Sequence, residues 1–114
     1  MRNVLPLIAC LVALWPSGAS AQQQGDNLND KQRHGRQLLA QSCGVCHLPP
    51  ALNARTYGPV LNKAAANGDD SIMREYILNG TPRMPAFKYY LKENEVDAII
   101  AYVRSVPTPA PAAR

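Results

Sequence analysis

The chain has 114 residues and a formal net charge of +4, because twelve Lys and Arg residues outweigh eight Asp and Glu residues. This length leaves room for one domain, and domains so small usually need a disulfide, a metal or a cofactor to supplement the apolar core. No apolar run reaches the about twenty residues that a membrane-spanning helix requires. The five tyrosines form no pattern typical of a nucleic-acid-binding surface.

Residues 1–21 are typical of a cleavable export signal. Arg2 gives a positive start, an apolar run covers residues 4–15, and small residues at 19–21 fit a cleavage site. Cys10 superficially resembles the cysteine of a lipoprotein box, but too few residues precede it to form an apolar region. We therefore expect cleavage after residue 21 and an exported, periplasmic mature chain.

A first helix is predicted after a polar, flexible segment at residues 22–30. Asn29 or Asp30 can cap this helix, which should continue through Leu39 toward the centre of the chain. Gly35 lies in its interior, where glycine costs about 1 kcal/mol of helix propensity relative to alanine.

The most informative stretch is Cys43-Gly44-Val45-Cys46-His47. Two thiols three residues apart lie on one side of a helical turn, where they can form thioether bonds to a haem, and His47 then faces the iron. A bare CxxC also occurs in zinc sites and thioredoxin-like centres. Zinc would need more ligands than His34 and Cys10 offer, and the sequence lacks the alternating strands and helices of a thioredoxin.

Residues 31–106 resemble a small monohaem class I cytochrome c. The resemblance is carried by Gly35 and Leu39, Cys43 to His47, Tyr57-Gly58-Pro59, Met84-Pro85 and Ala98-Ile99-Ile100-Ala101-Tyr102. It implies an all-α class I cytochrome c fold of three to five helices around one covalent haem c. It also implies that Gly35 and Leu39 face Ile99 and Tyr102 where the first and last helices cross.

The resemblance assigns the Pro59 carbonyl to a hydrogen bond with the outer nitrogen of His47, which would fix the imidazole. A plain turn at this position is the alternative. Tyr57, Phe87 and Arg55 are candidates for the haem environment, with Arg55 a possible partner of a haem propionate.

Met84 is the candidate for the second axial ligand. It lies in a stretch whose two prolines and glycine, at residues 80–87, exclude a regular helix. A thioether is a soft, neutral ligand that favours ferrous iron, so His47 and Met84 together would raise the reduction potential. Tyr89 and Tyr90 follow closely, and we expect aromatic side chains here to cover the ring. Met73 instead has the spacing of a core residue.

Three further helices are predicted. A short one covers residues 60–66, a second begins at Asp69 or Asp70 and ends before Gly80, and the third, at 93–105, has apolar residues at i, i+3, i+4 and i+7. Lys92 replaces the Ser or Thr of a capping box before this last helix, so we expect its start to fray. Residues 107–114, rich in proline and alanine, are predicted to be a disordered tail.

With both axial positions filled, the iron has no open site, so we expect an electron carrier and not an enzyme. The sequence of residues 83–89 is similar to that of bacterial cytochromes that accept electrons from exported quinoprotein or flavoprotein dehydrogenases. An oxidase or another cytochrome would be the acceptor. The alternative is a haem enzyme or gas-binding protein with an open sixth position. Basic residues near the expected ring, Arg55, Lys63, Arg83 and Lys88, suggest an acidic partner, although a solvated surface explains them equally well.

Overall fold

Four α-helices and one 3-10 turn make up the regular structure of residues 26–50 and 54–109, which are the residues that the computed structural model describes. The helices are α1 (Asp30–Ser42), α2 (Gly44–His47), α3 (Asp70–Asn79) and α4 (Glu93–Ser105), and the 3-10 turn covers Ala65–Gly68. These residues contain no strand, only an isolated bridge between Thr81 and Met84. The predicted all-α class is therefore confirmed. The predicted export signal (1–21), residues 22–25 and residues 110–114 of the predicted tail lie outside the described residues.

Helices α1 and α4 cross at Gly35. A Cβ atom at this position would lie 1.9 Å from the carbonyl oxygen of Ala98 and 3.0 Å from the backbone nitrogen of Ile99. Because real Cβ contacts are never so short, only glycine lets the two backbones approach this closely. The predicted crossing of the first and last helices is present, and the main contact of Gly35 is the backbone of α4.

The core lies between α4, α1 and α3. Val96, Ile99 and Val103 of α4 are almost completely buried, with 0%, 1% and 1% exposure, and they pack against Leu39 of α1 and Met73 of α3. Burying each such aliphatic side chain stabilises the fold by about 2 kcal/mol. Met73 is thus a core residue, as its spacing predicted.

Side-chain caps fix the starts of the long helices. Asn29 Oδ1 accepts the Gln32 N–H at 2.9 Å and Gln32 Oε1 accepts the Asn29 N–H at 3.0 Å, a reciprocal capping box for α1. Asp69 Oδ1 caps α3 through the N–H groups of residues 71 and 72. At α4, Glu95 Oε2 accepts the Lys92 N–H at 2.7 Å. Half of a capping box is therefore formed at α4 without a Ser or Thr.

Ion pairs hold α3 against α4. Arg74 of α3 donates to Glu93 Oε2 at 3.0 Å and also to Asp97. Here the arginine is on α4 and the carboxylate on α3: Arg104 donates to Asp70 Oδ1 at 2.7 Å. These five side chains form ion pairs across the helix pair, so the charges on the two helices are matched locally.

The predicted helix at residues 60–66 is wrong. Asn62 Oδ1 accepts the Ala64 N–H at 2.9 Å, a local side-chain bond that competes with helical hydrogen bonding. The chain then turns through Ala66 and Asn67, whose φ angles of 53° and 56° are left-handed. Arg104 Nη1 donates to the carbonyls of Lys63 at 2.9 Å and Ala65 at 2.8 Å. The segment is therefore a loop attached to α4.

No helix among residues 26–50 and 54–109 is both long enough and apolar enough to cross a membrane.

Candidate functional site

The cysteines and His47 are positioned by the tight passage from α1 into α2. The Cys43 N–H donates to the Leu39 carbonyl at 2.9 Å, and the His47 N–H donates to the Cys43 carbonyl at 2.9 Å. The chain thus remains helical through the motif, which holds Cys43 and Cys46 about one turn apart. Neither cysteine is in a disulfide. Burial raises the pKa of the Cys43 thiol, and Cys46 contributes in the same direction, so the thiol stays neutral in its apolar surroundings.

The imidazole of His47 is held by the segment that follows Tyr57. Its Nδ1 atom lies 2.8 Å from the Pro59 carbonyl oxygen, and the Gly58 N–H donates to the Cys46 carbonyl at 2.8 Å. Because a carbonyl can only accept, Nδ1 carries the proton in this bond, and Nε2 has a free lone pair for a metal. Gly58 lies against the ring: a Cβ there would come within 2.7 Å of His47 Cε1.

Met84 is held by a tight turn after α3. The Thr81 N–H donates to the Met84 carbonyl at 2.8 Å, and the Met84 N–H donates to the Thr81 carbonyl at 3.1 Å. Farther on, the Phe87 N–H donates to the Ile77 carbonyl at 3.0 Å, which returns the chain to α3. The turn begins at Gly80, whose φ angle is 72° and whose Cβ position would lie 2.4 Å from the Met84 carbonyl oxygen.

These side chains line one crevice with two adjoining lobes of about 280 and 310 Å³. Cys43, His47, Pro59, Thr81 and Met84 line both lobes. The rest of the lining is mainly apolar and comes from the loops, α3 and α4: Tyr57 and Phe87 in one lobe, and Leu61, Met73, Ile77, Ile99 and Val103 in the other. Two thiols, an imidazole and a thioether around an apolar crevice fit a covalently attached haem.

The other predicted site residues differ in their positions. Tyr57 and Phe87 line the crevice. Arg55 is exposed and lines neither lobe. Tyr89 and Tyr90 are 84% and 81% exposed, so the expectation that they cover the ring is wrong. The Tyr90 N–H donates to the Phe87 carbonyl and closes a turn, and of these three aromatic residues Phe87 lines the crevice.

Sequence reasoning named Arg83 and Gly80 but missed the part that they and Thr81 have in shaping the site. Thr81 pairs with Met84, Gly80 permits that pairing, and Arg83 lines the crevice with its guanidinium 5.3 Å from the centre of the Tyr57 ring. Gly80 was interpreted as the end of α3 and, with two prolines, as a residue that excludes a regular helix at 80–87. The Asn-Gly pair that ends the helix was the available signal, since a left-handed glycine also redirects the chain that follows.

An all-α fold around a crevice that contains CxxCH and a loop methionine defines a small class I cytochrome c. Residues 30–103 match the family model described as cytochrome c oxidase, cbb3-type, subunit III, and the chain belongs to this cytochrome c family. Membership of this family supports a haem electron carrier with covalently bound haem c.

A curated relative supports the same class. The chain is 34% identical over 74 residues to cytochrome c6 of Synechocystis sp., and the alignment covers 61% of each protein. The chain thus spans about three fifths of the length of the curated relative that it matches.

Proposed function

We propose that the protein carries one haem c, attached to Cys43 and Cys46, with His47 and Met84 as axial ligands. The observation that carries this proposal is the shared crevice: the CxxCH cysteines and His47 line it from one segment and Met84 from another. The chain contains one CxxCH motif, which supports a single haem.

The chain's own residues would set the properties of the metal. When bound, haem iron supplies one-electron chemistry by changing between the ferric and ferrous states. The Pro59 carbonyl orients His47 and raises its basicity. Met84 supplies a neutral, polarisable thioether that favours the ferrous state, and the apolar lining limits the access of water; both features raise the reduction potential. With both axial positions filled, no substrate binds the iron.

We also propose where the carrier works. The pattern of residues 1–21 supports export and cleavage, and residues 31–106 would form the cytochrome domain. In the periplasm the domain would carry single electrons from an exported quinoprotein or flavoprotein dehydrogenase to an oxidase or another cytochrome. The description of the matched family, a subunit of a cytochrome oxidase, supports an acceptor of this class.

Carbon monoxide tests the axial ligands. The ferrous wild-type protein, purified with haem attached, should resist carbon monoxide because Met84 occupies the sixth position. Met84→Ala should open this position and give an immediate change in the visible spectrum. Met73→Leu is the matched control, since this buried methionine also lines the crevice, in its second lobe, and a volume-conserving change there should keep the wild-type behaviour.

Two results would contradict the proposal. An unaltered spectrum in Met84→Ala would show that Met84 is not a ligand of the iron. The polypeptide could also stay colourless, with no added mass, when it is matured in a host equipped for haem attachment. This result would show that the protein carries no covalent haem.

A further inference from the structure

The second lobe of the crevice is a space between α4 and the loop at residues 60–68. Ile99 and Val103 of α4 form one wall of this lobe, and the loop forms another with Val60, Leu61, Ala65 and Ala66. No residue of the loop is fully buried. The width of the second lobe, and the access of water to it, therefore depend on how firmly this loop is attached to α4.

The loop does not keep its shape by local backbone preference. Ala66 and Asn67 have φ angles of 53° and 56°, which lie in the left-handed region that residues with a side chain rarely adopt. Two such residues in succession persist only where the surrounding structure holds them. The turn at residues 66–67 is therefore strained and needs contacts from the rest of the fold.

Arg104 supplies most of these contacts. Its Nη1 atom donates to the carbonyls of Lys63 at 2.9 Å and Ala65 at 2.8 Å, and the Lys63 N–H donates to the Val106 carbonyl at 2.9 Å. Among the described residues, these three hydrogen bonds connect the loop to the C-terminal end of α4. Nε donates to Asp70 Oδ1 at 2.7 Å, and Nη2 is buried without an acceptor in the described part of the chain. The guanidinium is thus inserted behind the loop, and three hydrogen bonds fix its orientation.

Arg104 is connected to the crevice only through its neighbours. It lines neither lobe, whereas Val103, which precedes it, lines the second lobe, and so do Ala65 and Ala66 of the loop that it holds. Both walls of the second lobe are therefore fixed relative to each other by one side chain that lies outside the lobe.

We propose that Arg104 is a positioning residue for the haem: by fixing the loop at residues 60–68 to α4, it keeps the second lobe narrow and limits the access of water. The inference rests on the proposed function and adds a residue that sets the reduction potential from outside the crevice. Water near the iron favours the ferric state, because this state has the larger charge, so a closed lobe raises the potential.

Arg104→Met tests the proposal, because it keeps a side chain of similar length and removes both hydrogen bonds to the loop. Hydrogen exchange of the Lys63 and Ala65 amides should become about tenfold faster, since the loop then opens more often. At an applied potential equal to the wild-type midpoint, the ratio of ferrous to ferric haem should fall about threefold. Spectroelectrochemistry of the haem-loaded protein measures this ratio.

Arg74→Met is the matched control. Arg74 also links α3 to α4, through Glu93 and Asp97, but it donates to no residue of the loop and lines neither lobe. Its replacement should change the loop exchange and the ratio of ferrous to ferric haem by less than about 1.5-fold. Equal effects of Arg74→Met and Arg104→Met would overturn the proposal, because the stability of the helix pair would then set the potential.

Asp70→Asn distinguishes the hold on the loop from an effect of charge. It removes the negative partner of Arg104 but keeps an acceptor for Nε, and both hydrogen bonds from Nη1 to the loop remain. The ratio of ferrous to ferric haem should change by less than about 1.5-fold. If Asp70→Asn instead raises this ratio as much as Arg104→Met lowers it, the ion pair acts on the iron through its field, and the proposal is overturned.

Three other results for Arg104→Met would also overturn it. Unchanged exchange would show that the loop does not need the arginine, and faster exchange with an unchanged ratio would show that Arg104 only stabilises the loop. Binding of carbon monoxide by this variant alone would show an effect through Met84, which is held by Thr81 and not by this loop. A wild-type protein that is colourless or binds carbon monoxide would contradict the proposed function instead, and the exchange comparison would still test the hold of Arg104 on the loop.

Discussion

The helical frame and the two crevice loops are held together by different forces. In the frame, α1, α3 and α4 meet through side chains that are 7% exposed or less, such as Leu39, Ile77 and Val96. In the loops at residues 54–68 and 80–91, no residue is fully buried. A few backbone hydrogen bonds attach these loops to the frame, among them Gly58 N–H to Cys46, Lys63 N–H to Val106 and Phe87 N–H to Ile77.

This difference indicates what each region depends on. The frame is specified by apolar packing, so substitutions there should act on the free energy of unfolding. The loops carry Pro59 and Met84 and have few packed side chains of their own, so their arrangement depends on local backbone geometry and on what the crevice binds. Substitutions in the loops should therefore change the ligation of the metal more than they change the free energy of unfolding.

The largest effect on the frame should come from Gly35→Ala. The added Cβ would overlap the Ala98 carbonyl at 1.9 Å, and since this neighbour is backbone, α1 and α4 must move apart. We expect the free energy of unfolding to fall by about 3 kcal/mol, although alanine gains about 1 kcal/mol of helix propensity. Urea unfolding of the haem-loaded protein measures the change.

Gln37→Ala is the control for Gly35→Ala, because Gln37 lies on the exposed face of the same helix. It should change the free energy of unfolding by less than about 0.5 kcal/mol. A Gly35→Ala protein that is more stable than wild type would show that the gain in helix propensity outweighs the contact with the Ala98 carbonyl. The close crossing of α1 and α4 would then be contradicted.

A comparison of Gly80→Ala with Gly68→Ala should distinguish an effect on Met84 ligation from an effect on the stability of the loops. Both glycines have left-handed φ angles, 72° and 77°, so each alanine should destabilise the protein by about 1 kcal/mol. Only at Gly80 would the Cβ also meet the Met84 carbonyl, at 2.4 Å; at Gly68 it would meet nothing within 4 Å. Gly80→Ala should therefore displace Met84 and allow carbon monoxide to bind ferrous haem.

The Gly68→Ala protein should keep the wild-type resistance to carbon monoxide despite a similar thermal destabilisation. If both variants bind carbon monoxide equally, or neither does, the geometry of Gly80 has no specific effect on Met84. The turn from Thr81 to Met84 would then be able to form without glycine before it.

The contrast between frame and loops also explains how much the sequence could predict. The bounds of α1, α3 and α4 followed from caps such as Asn29 and Asp69 and from the apolar spacing of residues 93–105, which are local signals. The crossing at Gly35 and the pairing of His47 with Pro59 were implied by the resemblance to class I cytochromes c. Both contacts are present in the fold.

The loops were predicted less well, because their conformation is decided by contacts that sequence spacing does not reveal. Residues 60–66 have apolar residues at helical spacing, but the Asn62 side chain and the hydrogen bonds from Arg104 hold them as a loop. Tyr89 and Tyr90 follow Met84 as a covering aromatic would, but the chain turns after Phe87 and exposes both. Arg104, forty residues away in sequence from the loop that it attaches, gave no local signal.

The smallest predicted effect is a pH dependence of the link between α3 and α4. The hydrogen bond and charge of Arg74 lower the pKa of Asp97 below its ordinary value, although its burial opposes this. In the acid range the unfolded chain, whose aspartates titrate near pH 4, then binds more protons than the folded chain. The stabilisation by this pair is therefore complete above about pH 4 and is lost as the pH falls through the lower pKa of the folded state.

Arg74→Met removes the charge and keeps a side chain of similar length, so its stability deficit relative to wild type should be present at pH 6 and shrink as the pH falls below about 4. Urea unfolding between these conditions measures the difference. In an Asp97→Asn background the pH-dependent part of the Arg74→Met effect should be much smaller, with Glu93 as the remaining partner. A deficit that does not change with pH would mean that Arg74 acts by packing its aliphatic stem, and the link between the two helices would then be apolar like the rest of the frame.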